Sequence, residues 1–372
     1  MEKIEIKPVV TAIDKKAFIN LQWTIYKHDP YWVPQLKMAI KDLLNPKHPF
    51  YETAETQMFL AKKDKAVVGR IMAIHPKKYN DFHKSNVGFY GFYECIKDSE
   101  VAKMLLETAE NWCREKGLEQ ILGPFNPSTN YESGLLVRGF DDPPQIMMTY
   151  NPPYYLKHME NHGYEKEMDL LAYRVKFPFE MNPTIVKISE RAEKKNKVTY
   201  RQIDKKHFDR EVQYLLDIYN DAWENNWGFV PYTEKEFLHM AKDLKMIVDE
   251  KLLLFVEVDG EIAGFIACLP DMNQVFKTIP NGCLLPTGLY KLLTFKKRVD
   301  RVRVPLMGVK QKFRRLGLET LLYYKAQLAC MENGYKECEA SWILEDNLMM
   351  NKPLQKMGFD AYKAYRIYKK NL

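Results

Sequence analysis

Hydrophobic and polar positions change period several times along this chain. Apolar side chains at Val101, Leu105, Ala109 and Trp112 form one stripe of a helix expected from about 100 to 116. Asp98 and Ser99 precede it as N-cap candidates, and Gly117 follows where left-handed backbone commonly ends a helix. In KECEASWILEDN (336–347) the period is two. Glu337, Glu339 and Ser341 alternate with Cys338, Ala340 and Trp342, which predicts a strand. FLAKKDKAVVGRIMAIHP (59–76) and FVEVDGEIAGFIACLP (255–270) each read as strand, acidic turn, strand.

These elements recur in order, which points to duplication. Asp64 precedes Gly69 by five positions, as Asp259 precedes Gly264. Segments 105–130 and 321–347 each run helix, glycine, strand, polar stretch, with Gly117 to Asn130 and Gly334 to Asn347 both thirteen apart. Segments 156–175 and 354–368 each give Gly-aromatic and then a strand containing Ala-Tyr-Arg. The hairpins and the Gly-aromatic pairs are both offset by 195 residues (259 minus 64, 358 minus 163). The expected fold class is α/β (α+β), two tandem mixed-sheet domains, over 1–178 and 179–372. The boundary falls in a proline-rich, then charged, stretch at 176–200. The prolines and aromatics of KHDPYWVPQL (27–36) suggest an ordered loop packed on the first domain.

Composition narrows the classes. A chain of 372 residues, 46% hydrophobic and 13% aromatic, can fill two cores. No apolar run approaches the ~18–20 residues that span a bilayer, so no membrane partner is expected. The charged N-terminus lacks the apolar core of a secretory leader. Six scattered cysteines without a C-x-x-C pair argue against a disulfide framework or a zinc site, so no metal is expected and a cytoplasmic location is. A net charge of +7 suits an anionic small ligand and does not demand nucleic acid.

GVKQKFRRLGLETLL (308–322) concentrates that charge. Lys310, Lys312, Arg314 and Arg315 lie between the strand RVRVPLMGV (301–309) and a helix, with Gly317 at the junction. A basic run alone is usually a solvated patch. At a strand-to-helix junction, exposed helix amides, the macrodipole and added cations together make a phosphate site. Gap-free alignment through Leu105-Leu106 and Leu321-Leu322 sets Asp98 opposite Arg314 and Glu94 opposite Lys310. One copy carries acid at the turn and the other base, so a single anion site is expected, in the second.

Strand, Arg/Gln-x-x-Gly-x-Gly/Ala, then helix resembles the acyl-CoA pyrophosphate loop of the GNAT N-acyltransferases. Here it reads Arg314-Arg315-Leu316-Gly317-Leu318-Glu319. The resemblance covers about 200–372, and the first half resembles a degenerate copy. It implies that acetyl-CoA or another acyl-CoA is a substrate, held by Lys310, Lys312, Arg314, Arg315, Leu316, Gly317 and Leu318. It places a backbone N–H for the thioester carbonyl near Met307, Gly308 and Val309, and the pantetheine arm near Asn347. Oxyanion donors of this kind can contribute ~2.7–4 kcal/mol. There are two departures. Glu319 replaces a small residue, and Leu354 stands where many members carry a tyrosine acid.

Acyl transfer to an amine also needs a base and an acid. Glu339, mid-strand and expected to be partly desolvated, is the base candidate. Tyr365 is the acid candidate, with Tyr368 beside it. The turn-rich 123–140 stretch brings Asn126, Ser128, Asn130, Tyr131 and Glu132 within seven residues and is expected to line the acceptor pocket, with Trp342 and Glu345 contributed by the second domain. The expected function is an acyl-CoA-dependent N-acyltransferase that moves an acyl group, acetyl by expectation, to the amine of a small molecule or peptide. The alternatives are a non-catalytic CoA-binding sensor and an aminoacyl-tRNA-dependent peptidyl transferase of similar tandem fold. The last would need a broad basic groove.

Overall fold

The structure is a computed structural model, and it describes residues 3–195 and 198–372. The chain divides into two compact units. One runs as far as Leu170 and includes Phe276–Leu293 and Lys363–Leu372; the other is Leu171–Val275 with Thr294–Tyr362. The chain therefore passes between units more than once. The first passage lies inside a strand, a few residues before the 178/179 boundary expected from sequence.

The elements are, in order, β1 (Ile4–Pro8), α1 (Ala12–Ile25), α2 (Lys37–Leu43), β2 (Glu55–Lys63), β3 (Ala66–His75), α3 (Lys77–His83), β4 (Val87–Cys95) and α4 (Ser99–Glu115). Then come β5 (Gln120–Gly123), β6 (Phe125–Asn126), β7 (Glu132–Ser133), β8 (Leu135–Arg138), α5 (Tyr154–Asn161) and β9 (Glu165–Lys176). They are followed by α6 (Pro183–Lys195), β10 (Val198–Gln202), α7 (Phe208–Trp223), α8 (Glu234–Leu244), β11 (Leu253–Val258) and β12 (Glu261–Pro270). The chain ends with α9 (Asn273–Phe276), α10 (Gly288–Leu293), β13 (Arg301–Val309), α11 (Leu318–Glu332), β14 (Glu337–Leu344), α12 (Leu348–Lys356) and β15 (Asp360–Asn371).

In the first unit β1, β2, β3 and β4 are antiparallel neighbours and β5 joins β4 in parallel. The end of β15 pairs antiparallel with β5 and β8. The second unit repeats this order, with β10, β11, β12 and β13 antiparallel and β14 parallel to β13. Repetition reaches single residues. The hairpin turns carry Asp64 and Asp259 at φ 54° and 49°, and the register shifts after Ala61 and after Val256, again 195 apart.

Helix α4 forms where its stripe predicts. Val101, Ala102, Leu105, Leu106, Ala109 and Cys113 are buried against the sheet, and each large side chain contributes roughly 1.5–3 kcal/mol. Asp98 caps it by accepting from the Glu100 and Val101 amides at 3.0 and 3.3 Å. Helix α11 buries Leu318, Leu321, Leu322, Ala326 and Cys330 in the second unit.

Candidate functional site

Strands β13 and β14 pair only from Arg301–Val304 to Glu337–Ala340, and then part. Beyond that point β13 stays attached to β12 on its other edge. The Lys310 amide donates to Ala263 O of that hairpin at 2.8 Å. Alternation along the strand therefore turns the Met307 and Val309 amides the other way, toward the edge that β14 has left.

Eight residues, 310–317, separate β13 from α11. They begin with a 3₁₀ turn, Gln311–Phe313, and are tied to α7. The Gln311 amide donates to Asp221 Oδ2 at 2.6 Å, and its side chain donates to Asp221 O at 3.0 Å and Glu224 Oε2 at 3.3 Å. Arg315 has φ 69°, which costs a non-glycine residue roughly 1–2 kcal/mol. Gly317, at φ 79°, is the α11 N-cap, and no side chain caps the helix. The first-turn amides are left to a ligand or water.

The cations here behave differently from one another. Lys310 and Lys312 both reach Glu261, at 3.7 and 2.5 Å, and these contacts hold the Glu261 carboxyl below its usual range. Arg314 donates to Ala222 O at 2.7 Å. Arg314 and Arg315 are exposed, Leu316 is half-buried and Leu318 is buried. Glu319 lies in the first turn of α11.

Glu339 is fully buried in β14, deeper than the partial desolvation expected of it. Ser341 donates to its Oε1 at 2.5 Å and the Tyr362 hydroxyl donates to its Oε2. Arg303, its register partner on β13, lies 3.8 Å away and donates to Ser341 Oγ at 2.8 Å. The Arg303 guanidinium also stacks 5.2 Å from the Trp342 ring, and Arg174 lies over Tyr362 at 4.2 Å. Each carboxylate oxygen accepts from a hydroxyl, which gives a proton a route to Glu339 through Ser341 or Tyr362.

Asn347 caps α12, accepting from the Met350 amide at 3.2 Å. Leu354, at the position of the family's tyrosine, is wholly buried. Glu345 is half-buried, and its carbonyl accepts from Asn351. Tyr365 belongs to the stretch of β15 assigned to the first unit. It is wholly buried, in register with Leu136, and its Cβ lies beside Gly134.

The first unit's candidate residues are largely engaged with their own surroundings. Asn126 accepts from the Phe92 amide at 2.6 Å. Ser128 accepts from the Asn130 amide at 3.3 Å. Tyr131 meets Phe50 edge-on, and Glu132 accepts twice from Gln35. The same unit shows how a related turn closes. β4 reaches α4 in three residues, 96–98. The gap-free alignment of Asp98 with Arg314 is corrected here: the helix caps that correspond are Asp98 and Gly317, because α4 begins six residues before Leu105 and α11 only three before Leu321. A Cβ on Gly91 of β4 would fall 1.6 Å from Phe125 O, so backbone fills the edge that β13 leaves open.

Residues that the sequence reading missed are Gln311, Asp221, Arg303, Ser341 and Tyr362. Only Arg303 had a signal, as a lone interior cation in a strand beside one carrying a lone interior carboxylate.

Residues 212–359 match the model of the acetyltransferase (GNAT) family. The chain is 39% identical over 380 residues to a protein of Caulobacter vibrioides (strain NA1000 / CB15N) named bacterial ceramide synthase, covering 99% of this chain and 98% of that one. It is 37% identical over 374 residues to Protein YghO of Escherichia coli (strain K12), covering 99% and 95%. Among solved structures, a tandem GNAT protein from the clavulanic acid biosynthesis pathway shares the fold, with TM-score 0.60 at 9% identity and coverage of 99% and 98%. The chain belongs to the GNAT family, whose members take an acyl-CoA as substrate, and is a tandem N-acyltransferase of that family.

Proposed function

We propose that the chain transfers a long acyl group from acyl-CoA to the amine of a long-chain amino alcohol, with acyl-CoA held by the second unit. The observation that carries the cofactor half is the β13–α11 turn. It offers uncapped helix amides, a left-handed glycine and two exposed arginines to a diphosphate. The pantetheine arm would follow the parted edge of β13, with Asn347 at its far side. The thioester carbonyl would then face the amides of Met307 and Val309.

In this reading the neutral amine attacks the carbonyl carbon and forms the C–N bond. The tetrahedral oxyanion takes hydrogen bonds from β13, and the C–S bond breaks to release CoA thiolate. The proton lost by nitrogen moves through Tyr362 or Ser341 to Glu339, or to the thiolate itself. The acid role expected of Tyr365 passes to Tyr362, which is half-buried and touches the carboxylate. Asn126, Ser128, Asn130, Tyr131 and Glu132 remain candidates for acceptor contact in the first unit, as do Trp342 and Glu345 in the second.

The acceptor class rests on the relative. A ceramide is an amide of a long-chain amino alcohol, and full-length similarity to a protein named for making it supports that acceptor over a peptide. The test is thiol release from acetyl-, butyryl- and palmitoyl-CoA, each paired with sphinganine, a short amino alcohol and a peptide amine. The expected result is fastest release with palmitoyl-CoA and sphinganine. Fastest release with acetyl-CoA and a short amine would restore the shorter acyl group expected from sequence. No release with any pair would overturn the reading.

A further inference from the structure

The connection between β12 and β13 is much longer than its counterpart in the first unit. Residues 271–300 fill it, against 76–86 between β3 and β4. Its middle, Phe276–Leu293, belongs to the first unit. Within that unit one side of the segment is fastened. Trp23 Nε1 donates to Pro280 O at 2.7 Å, and the Lys37 amide donates to Gly282 O at 2.9 Å. Ile279 and Gly288 are buried.

Four large apolar side chains of the segment are exposed. Leu285 is 72% exposed, Tyr290 66% and Leu293 65%, and Leu289 is also exposed. Such a cluster is costly to leave in water and marks an interaction surface. The charge of the same stretch selects the partner. Between Asp271 and Asp300 the chain carries Lys277, Lys291, Lys296, Lys297 and Arg298 and no carboxylate. Of these, Lys277 and Lys291 lie in the first unit; Lys277 is exposed, and Lys291 donates to Thr278 O at 2.6 Å at the segment's surface. Exposed leucine and tyrosine in a stretch with lysine and no carboxylate is the composition of an element that lies in the interface of an anionic bilayer.

We propose that Cys283–Leu293 docks the protein on the surface of a membrane containing anionic lipid. Leu285, Tyr290 and Leu293 enter the headgroup boundary while Lys277 and Lys291 of the same unit face lipid phosphates. Among the described residues no helix is long and apolar enough to cross a membrane, and the absence of a membrane partner was expected on that ground. Lying on an interface needs no spanning segment. The inference does not depend on acyl transfer.

The test is co-sedimentation of the full chain with vesicles of phosphatidylcholine alone and of phosphatidylcholine mixed with phosphatidylglycerol. The wild type should partition onto the mixed vesicles, and high salt should weaken this. Tyr290→Asp and Leu293→Asp should each lower partitioning about tenfold, as expected for withdrawing one large apolar side chain from the interface. Both residues are exposed, so the variants should melt with the wild type. Ile13→Asp, at another exposed apolar residue, should leave partitioning unchanged. The proposal is overturned if the wild type binds neither vesicle, or if both variants bind as well as the wild type. It is equally overturned if the wild type self-associates and the variants become monomers that still sediment with vesicles.

Discussion

At the end of β4 three residues lead into α4, and the Asp98 carboxylate meets the helix amides. At the end of β13 eight residues lead into α11, and a left-handed glycine meets them. The first arrangement supplies its own anion. The second has Glu319 in its first turn but no side chain on its amides, and puts Arg314 and Arg315 beside them. The strands beside the turns differ in the same sense, since the Phe92 amide of β4 is taken by Asn126 and Gly91 lies against the Phe125 carbonyl. A duplicated fold thus separates what stabilises the unit from what binds a ligand. Hairpin and core are common to both copies, whereas the open edge and uncapped turn belong to one.

The largest effect expected from breaking this comparison is at the buried ion pairs. Arg70 and Glu94 lie 3.7 Å apart in the first unit, and Arg303 and Glu339 lie 3.8 Å apart in the second. Removing one charge from such a pair costs about 3–5 kcal/mol, so Glu94→Gln and Glu339→Gln should both lower the denaturant midpoint strongly. Their kinetics should differ. Turnover per folded molecule falls in Glu339→Gln and holds in Glu94→Gln; equal turnover in the two would remove Glu339 from the proton path.

Next comes the turn itself. The Arg314→Ala, Arg315→Ala double variant should weaken CoA binding in calorimetry by roughly 1.5–3 kcal/mol per lost charged contact. Asp98→Arg, which gives the first turn the charge of the second, should create no CoA site, because the turn remains short and its edge closed. A smaller effect is expected from Asp98→Ala, about 1 kcal/mol of stability with CoA affinity unchanged.

The smallest is a pH effect confined to the first unit. His158 accepts or donates at Tyr93 Oη at 2.8 Å, and burial pulls its pKa down to about 4 from an ordinary 6.5. The neutral ring is the one the fold holds, so the unfolded chain binds the extra proton first. Stability should fall as pH drops from 6.5 toward 4 and be indifferent to this group above that window. His158→Gln should flatten the slope in thermal melts across that range and leave CoA binding untouched.

Much of this was legible from local pattern. Helix α4 was expected from about 100 to 116 and spans Ser99–Glu115, because caps and periodicity are written in neighbouring residues. The basic turn was legible for the same reason. What the sequence hid lies in contacts between distant residues. Gln311 finds Asp221 ninety positions away, and Glu339 finds Arg303 and Tyr362 only once the strands are assembled. Tyrosines 362, 365 and 368 are three apart, so along a strand they alternate faces, and sequence does not tell which of them meets Glu339. The later start of α11 misled the alignment of Asp98 with Arg314, since α4 begins three residues earlier relative to the paired leucines Leu105 and Leu321.

The central claim is that the uncapped turn of the second unit holds the acyl-CoA diphosphate. A crystal structure of the chain with bound CoA tests it most directly. One CoA per chain is expected, its diphosphate on the amides at Gly317–Thr320 and against Arg314 or Arg315. A diphosphate found at the start of α4, or away from both turns, would contradict it.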